Sequence, residues 1–426
     1  MAKELRILAG IFMTVVIGGL LMSTNASAAS DYPVDEYPFH QNPDELVVTR
    51  SDHVVNTLPC ERIALDVEGR TTPHIGASVG RTSDGTLYAA ISGGPTALFA
   101  STDDGRTWTR SDVDVPEDGG IGVFTVLADD SFLGVAGGAA KPISFYRSAD
   151  RGQSWEKISE LPLEPFEGMY PDGNLLQLRD GTILFPVNWR VNAPEGGNVL
   201  GQGLFVQYVT RSTDGGRTWQ NGPDPAFWRR LIEAKLTVVG VSKEAQNPGP
   251  GGSFPGCFET GIEELPDGTI LAALRYSGAP EPWHSPEIVA AWRGGEPDIW
   301  GRMFKNVLLS DSPDGGHTWQ NLRPVVDAEG QTLLPHYDTS AVLVQVPDGR
   351  LVMAIVRRRA DPQQLVAKVS EDGGQTWLPE EYRLAAGFGY PDTLALKDGT
   401  IITVTGKSRE GGPLGAEVIR WRLPER

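Results

Sequence analysis

The chain has 426 residues, 40% of them hydrophobic, enough to bury a large core in one big domain or two smaller ones. Its 37 Lys and Arg stand against 55 Asp and Glu, a net charge of −18. That balance argues against nucleic acid or an anionic membrane as partner, and leaves room for an anionic substrate held in a local cationic pocket. The 51 Gly and 32 Pro suit a turn-rich, all-β protein and are too dispersed for a collagen-like or disordered chain.

Residues 1–28 read as a signal peptide. Lys3 and Arg6 precede an apolar run over 7–22, and Ala26-Ser27-Ala28 offers a small-x-small cleavage site. The run falls short of the roughly 20 apolar residues of a membrane span, and an uncleaved anchor is the alternative. No later segment reads as transmembrane, so the expected location is secreted or periplasmic, with no membrane contact after cleavage. Residues 29–61, polar and Pro-containing, read as a leader that wraps or trails a domain over 62–426. The two cysteines, Cys60 and Cys257, form one bridge in an oxidising compartment or stand as two buried thiols; their spacing does not choose.

Two repeats run through the domain. The octapeptide Ser-x-Asp-x-Gly-x-Ser/Thr-Trp occurs at 101–108, 148–155, 212–219, 312–319 and 370–377. Asp and Ser side chains bond backbone amides in a tight turn, Gly takes dihedrals that other residues resist, and Trp buries a large surface against the neighbouring unit. These boxes therefore read as folding devices rather than chemistry. Offset from them, apolar stretches flank Asp-Gly turns at Asp84, Asp180, Asp267, Asp348 and Asp398, with Asp130-Ser131 as a degenerate sixth. Those stretches read as buried strands joined in hairpins. Helical periodicity is confined to 225–235. Six hairpins with five boxes between them fit an all-β, six-bladed β-propeller of four-stranded antiparallel blades, the first strand of each blade lining a central channel. Insertions at 220–256 and 276–305 break the spacing. The second carries Trp283, His284, Trp292 and Trp300, which stack on sugars or cover the blade flanks.

In such a ring, residues just before each Asp-Gly hairpin and just after its second strand converge on one mouth. They are His74, Tyr170 with Asp172, Glu259, His336 with Tyr337 and Asp338, Tyr390 with Asp392, then Asn188, Arg190, Arg275 and the run Arg357-Arg358-Arg359. Grouped arginines point to bidentate recognition of a carboxylate, sulfate or phosphate. The sequence carries no His-x-x-x-His, no cysteine cluster, no calcium-spaced acidic loop and no Gly-x-Ser-x-Gly elbow. It calls for no metal and no cofactor.

The boxes and hairpins together resemble the sialidase (neuraminidase) superfamily over essentially the whole mature chain. The motif is specific to the fold and less so to activity, since box-bearing propellers include lyases, other glycosidases and binding proteins. The resemblance implies an exo-α-sialidase-like glycoside hydrolase acting on a glycan, with a Tyr nucleophile activated by Glu, an Asp acid/base and three Arg clamping the substrate carboxylate. A phenol suits that substrate because a carboxylate nucleophile would be repelled by the sugar's own carboxylate. Matched residue by residue, Tyr390 stands at the nucleophile's place and Glu259 at the activating Glu. Arg275 resembles the second clamp Arg, and Arg359 the third, with Arg357 or Arg358 as register alternatives. Arg190 and Tyr337 complete the substrate-binding mouth. The chain departs from the family in opening its first blade with His74-Ile75-Gly76, where the family has Arg-Ile-Pro. Its loop from Ser92 to the first box also lacks an acidic residue. The acid role then falls to His74 or Asp338. A lyase of uronate glycans and a non-catalytic glycan-binding propeller are the rival readings.

Overall fold

The protein is described by a computed structural model covering residues 44–51, 53–67, 76–92, 96–113, 120–138, 141–163, 168–171, 173–191, 204–220, 256–278, 284–294, 304–335, 338–358, 363–386, 389–407 and 415–426. The signal peptide and the 225–235 helix expected from sequence lie outside these residues. Alternating apolar segments form the strands, and Asp-Gly turns with glycine at positive φ set their hairpins. Strands β1 (Glu45–Arg50) and β2 (His53–Leu65) form a hairpin. A first four-stranded sheet follows: β3 (Ala77–Arg81), β4 (Leu87–Ile91), β5 (Thr96–Ser101) and β6 (Thr109–Val113). A second comprises β7 (Val123–Val126), β8 (Phe132–Gly137), β9 (Ile143–Ser148) and β10 (Glu156–Leu161). In the third, β11 (Gly168–Tyr170) and β12 (Leu176–Gln177) both pair with β13 (Ile183–Val191), which pairs with β14 (Leu204–Ser212). The fourth holds β15 (Gly256–Glu264), β16 (Ile270–Gly278), β17 (Phe304–Ser312) and β18 (Gln320–Pro324), with helix α1 (Pro286–Gly294) between β16 and β17.

The remaining strands are β19 (Asp338–Gln345), β20 (Leu351–Arg357), β21 (Gln364–Ser370), β22 (Glu381–Ala386), β23 (Asp392–Ala395), β24 (Ile401–Lys407) and β25 (Gly415–Trp421). They join the first hairpin in one nine-stranded sheet, ordered β19-β20-β21-β22-β1-β2-β25-β24-β23. This sheet is two four-stranded units bridged by β1. Cys60 to Leu65 of β2 pair with β25 and supply the outer strand of the last unit. A domain boundary at 62 thus falls inside β2: the described part of the leader is built into the sheets.

Hydrophobic clusters lie between neighbouring sheets all the way round. Phe124, Phe132 and Tyr88 join the first to the second, and Phe145, Phe185 and Trp219 the second to the third. Leu87, Phe99 and Val404 close the last unit onto the first. Four boxes connect third strands to fourth strands, the one at 212–219 follows β14, and each leans on the preceding sheet. In the box at 148–155, Ser148 Oγ accepts the Gly152 amide at 2.7 Å and Asp150 Oδ1 accepts the Ser154 amide at 2.8 Å. Gly152, at φ 85°, lies against Leu98 and Phe132, where a Cβ would collide with Leu98. The boxes are structural, as their composition implies.

The two cysteines are not joined in a disulfide. Cys60 is buried between the two units of the nine-stranded sheet, and Cys257 packs between the third and fourth sheets. Among the described residues, no helix is long and apolar enough to cross a membrane. Helix α1 sits in the Trp-rich insertion, its start capped by Ser285 Oγ accepting the Ile288 amide at 3.3 Å. Beside it His284 is buried edge-on to Phe304, with ring centroids 4.4 Å apart. This part of the insertion is packed into the blade flank.

Candidate active site

Two β-bulges in adjacent inner strands build the site. β15 is irregular between Phe258 and Gly261, and β19 between Thr339 and Val342. Within them Glu259 (φ 47°) and Ser340 (φ 53°) adopt the left-handed conformation that side-chain-bearing residues avoid. Such strain persists only where the surroundings enforce it, and it gathers at functional sites. The bulges interlock because residue 261 is glycine; a Cβ there would strike the Ala341 carbonyl oxygen.

The Glu259 side chain is buried, and its carboxylate collects four groups. Oε1 accepts from Arg275 Nη1 and, at 3.1 Å, from the Tyr390 hydroxyl. Oε2 accepts from Ser340 Oγ and lies 3.6 Å from Arg358 Nη2. Burial pushes this carboxyl upward, but the charges of Arg275 and Arg358 and the bonds from Arg275 and Ser340 outweigh it and hold the pKa at about 2. Arg358 also donates to the Tyr390 oxygen at 3.2 Å, to Ser340 Oγ at 3.3 Å and from Nε to Thr339 Oγ1 at 2.9 Å. Its guanidinium carbon stands 5.6 Å from the Tyr390 ring centre. The phenol is thus set between a carboxylate and a guanidinium. Tyr390 is fixed from behind, where its carbonyl accepts the Ala77 amide of β3 at 3.0 Å. The Arg275 guanidinium carbon stands 4.4 Å from the Phe258 ring centre, and Arg275 Nε is buried without a hydrogen-bond partner among the described residues.

Of the residues singled out in the sequence, Glu259, Arg275 and Tyr390 therefore meet, and Arg358 is the arginine of the 357–359 run that joins them. Arg357 and Asp338 do not. Arg357 points into the blade flank, where Nε and Nη2 bind both Asp338 oxygens at 3.0 and 2.9 Å, and Nη1 and Nη2 bind Glu381 at 2.6 Å each. Burial pushes the Asp338 carboxyl up, as an acid would need. However, the side chain is fully enclosed and both its oxygens are taken. It cannot deliver a proton to a ligand at the mouth, and Arg357 has no fork left for a substrate. Arg357 closes β20 opposite Asp338, whereas Arg358 lies one residue beyond, and consecutive residues face opposite sides. His74, Tyr337 and Arg359 lie outside the described residues. Arg190 is placed on β13 opposite Gly168. Sequence reasoning missed Ser340 and Thr339; a bulge without glycine leaves no signal in the chain.

Further along the same strands stand two more carboxylates. Asp392, two residues beyond Tyr390, accepts the Val79 amide at 2.8 Å, and burial pushes it up to about 6. Glu263 on β15 accepts the Gln345 amide at 3.2 Å and is pushed up to about 7, first by burial. Among the described residues no group of three or more His, Cys, Asp or Glu is placed to hold a metal ion.

Residues 263–403, which include Tyr390 and Arg358, match the BNR repeat-like domain. Over that stretch the chain carries BNR-type repeats, and its sheets have the arrangement of a β-propeller. Solved structures agree on this fold at low identity. The propeller is similar to a Dyadobacter fermentans protein of unknown function, with 17% identity over 89% of this chain and 100% of that one and a TM-score of 0.57. It is similar to Penicillium chrysogenum α-L-arabinanase at 13% identity, over 88% of this chain and 98% of that one, with a TM-score of 0.55. It also resembles Trypanosoma rangeli sialidase at 13% identity, over 85% of this chain and 58% of that one, with a TM-score of 0.52. No curated protein matches the propeller by sequence.

Proposed function

We propose that the protein is an exported, six-bladed propeller glycoside hydrolase of the sialidase type, removing a terminal acidic sugar from a glycan. The observation that carries this reading is the Tyr390 hydroxyl, 3.1 Å from a Glu259 oxygen and 3.2 Å from Arg358 Nη2. A phenol so placed has a receiver for its proton on one side and a cation for its developing charge on the other. In the first step Tyr390 Oη bonds to the anomeric carbon while the glycosidic bond breaks, and its proton passes to Glu259. A carboxylate held at about 2 is a weak base, so transfer runs with bond formation, as the phenol oxygen becomes acidic. The leaving oxygen takes a proton from His74, which stands in for the family's acid. Water, deprotonated by His74, then displaces Tyr390, which recovers its proton from Glu259. Two displacements at one carbon retain its configuration. Arg275, Arg358 and Arg359 hold the sugar carboxylate.

The test is a screen of the purified protein against sialosides, uronate polysaccharides and arabinosides, with Tyr390→Phe as control. Sugar release from sialosides that falls at least about a thousandfold in the variant is expected, as for removal of a covalent nucleophile. An unsaturated, ultraviolet-absorbing product from uronates would replace the hydrolase with a lyase. Arabinoside release alone would displace the acidic substrate. Sialoside turnover indifferent to Tyr390→Phe would remove the catalytic assignment.

A further inference from the structure

We propose that Ser340 is a positioning residue, whose hydroxyl fixes the Glu259 carboxylate and the Arg358 guanidinium in the relative orientation that leaves Glu259 Oε1 facing Tyr390. The inference rests on the reading of Tyr390 and Glu259 as the reacting pair. A serine hydroxyl has one proton to give and two lone pairs to accept with. An ionised carboxylate only accepts and a guanidinium only donates, so the bond directions are forced. Ser340 gives its proton to Glu259 Oε2 and takes one from Arg358 Nη2 at 3.3 Å. It is 5% exposed, so water does not compete for either bond. The neighbouring Thr339 hydroxyl, fully buried, holds Arg358 Nε at 2.9 Å. Two consecutive hydroxyls on one bulge thus grip one arginine, while Ser340 alone reaches across to the next strand.

The backbone argues the same way. Ser340 sits at φ 53°, where glycine is at ease and serine is strained. A hydroxyl retained at such a position is retained against the local conformational preference. Without it, Oε2 keeps the 3.6 Å approach of Arg358 and loses its bond from the hydroxyl, and the carboxylate is free to turn Oε1 away from the phenol.

The experiment compares Ser340→Ala and Ser340→Gly with the wild type. Both remove the hydroxyl, but they differ in opposite ways at the backbone, because glycine relaxes the positive φ and alanine does not. A positioning role predicts that both lower kcat about ten- to a hundredfold, the range of a lost charge-assisted bond, with KM changed less than about threefold. It also predicts that the acidic limb of the kcat profile moves to higher pH, because Glu259 loses a bond that stabilises its charge. Wild-type kcat in Ser340→Gly, with or without a loss in Ser340→Ala, would overturn the proposal and leave a backbone role only. Should the wild type cleave none of the glycans, the reading of the site fails separately. The carboxyl titration of Glu259, followed by carbon-13 NMR with Glu259→Gln to identify its signal, then decides. An upward move in both serine variants supports the proposal, and an unmoved titration overturns it.

Discussion

Replacing Arg357 with methionine tests whether this arginine serves the fold or a ligand. Its guanidinium makes four charge-assisted bonds, two to Asp338 and two to Glu381, and its side chain is 4% exposed. Methionine fills similar volume but removes the guanidinium that both buried carboxylates bond, leaving only the more distant charges of Lys368 and Arg383. Breaking one side of a buried ionic network costs about 3–5 kcal/mol. With an unfolding entropy of about 2.1 cal/mol/K per residue over the roughly 365 residues of the domain, that loss lowers Tm by roughly 4–7 °C. The loss also depends on pH. Without Arg357, burial raises the Asp338 carboxyl still further above its unfolded value, while Glu381 keeps Lys368 and Arg383 nearby. The contribution of Asp338 is then intact at low pH and drains away as pH rises through its raised value, so the variant is weaker relative to wild type at pH 8 than at pH 5. Denaturation followed by circular dichroism across that range measures both effects, with KM measured alongside on any cleaved glycan. A variant as stable as wild type whose KM rises about tenfold or more would refute the structural assignment and return Arg357 to the substrate.

Arg358→Lys keeps the charge but not the fork that reaches Thr339, Ser340 and Tyr390 together, so kcat/KM is expected to fall about ten- to a hundredfold in steady-state assays, with Tm nearly unchanged. Glu263→Gln should flatten the pH dependence of stability. Glu263 holds its proton to about pH 7 in the fold and only to about 4.5 once unfolded and solvated, so its contribution is lost as pH rises through that window. Chemical denaturation at pH 4.5 and 7.5 should show on the order of 2 kcal/mol less difference in the variant than in wild type. Ser148→Ala strips a buried box of the oxygen that accepts the Gly152 amide at 2.7 Å, and should cost about 1–3 kcal/mol in the same assay without altering KM.

Much of the architecture is legible in the chain because it repeats. Asp-Gly hairpins and tryptophan boxes are local devices, and their side chains bond within the same few residues, as Ser148, Asp150 and Ser154 do. Glu259, Arg275 and Tyr390 are legible through their position relative to those repeats. What escapes is whatever depends on counting residues through an irregular strand. Arg357 is the last residue of β20 and pairs with Asp338, and it is Arg358, one residue further, that reaches Tyr390. Asp338 loses its assigned role because Arg357 takes both its oxygens in full burial, and Ser340 is invisible because serine carries no signature of positive φ. The start of β2 reads as leader because the stretch from His53 to Pro59 is largely exposed, and the partner of the remainder lies at the other end of the chain, with Cys60 against Trp421. Helix α1 is signalled after all. Ser285-Pro286-Glu287 at one end and Arg293-Gly294 at the other are ordinary start and stop residues.

The pairing of β2 with β25 ties the earliest described strands to the latest. During synthesis the segment from Cys60 to Leu65 must wait, with one edge bare, until almost the entire polypeptide has emerged. A chain broken between Lys407 and Gly415 therefore leaves the edges of β2 and β24 bare, and the strand that fits between them is the β25 of an intact neighbouring copy. Loss of the segment from Gly415 onward is then an invitation to intermolecular strand exchange rather than a minor trimming.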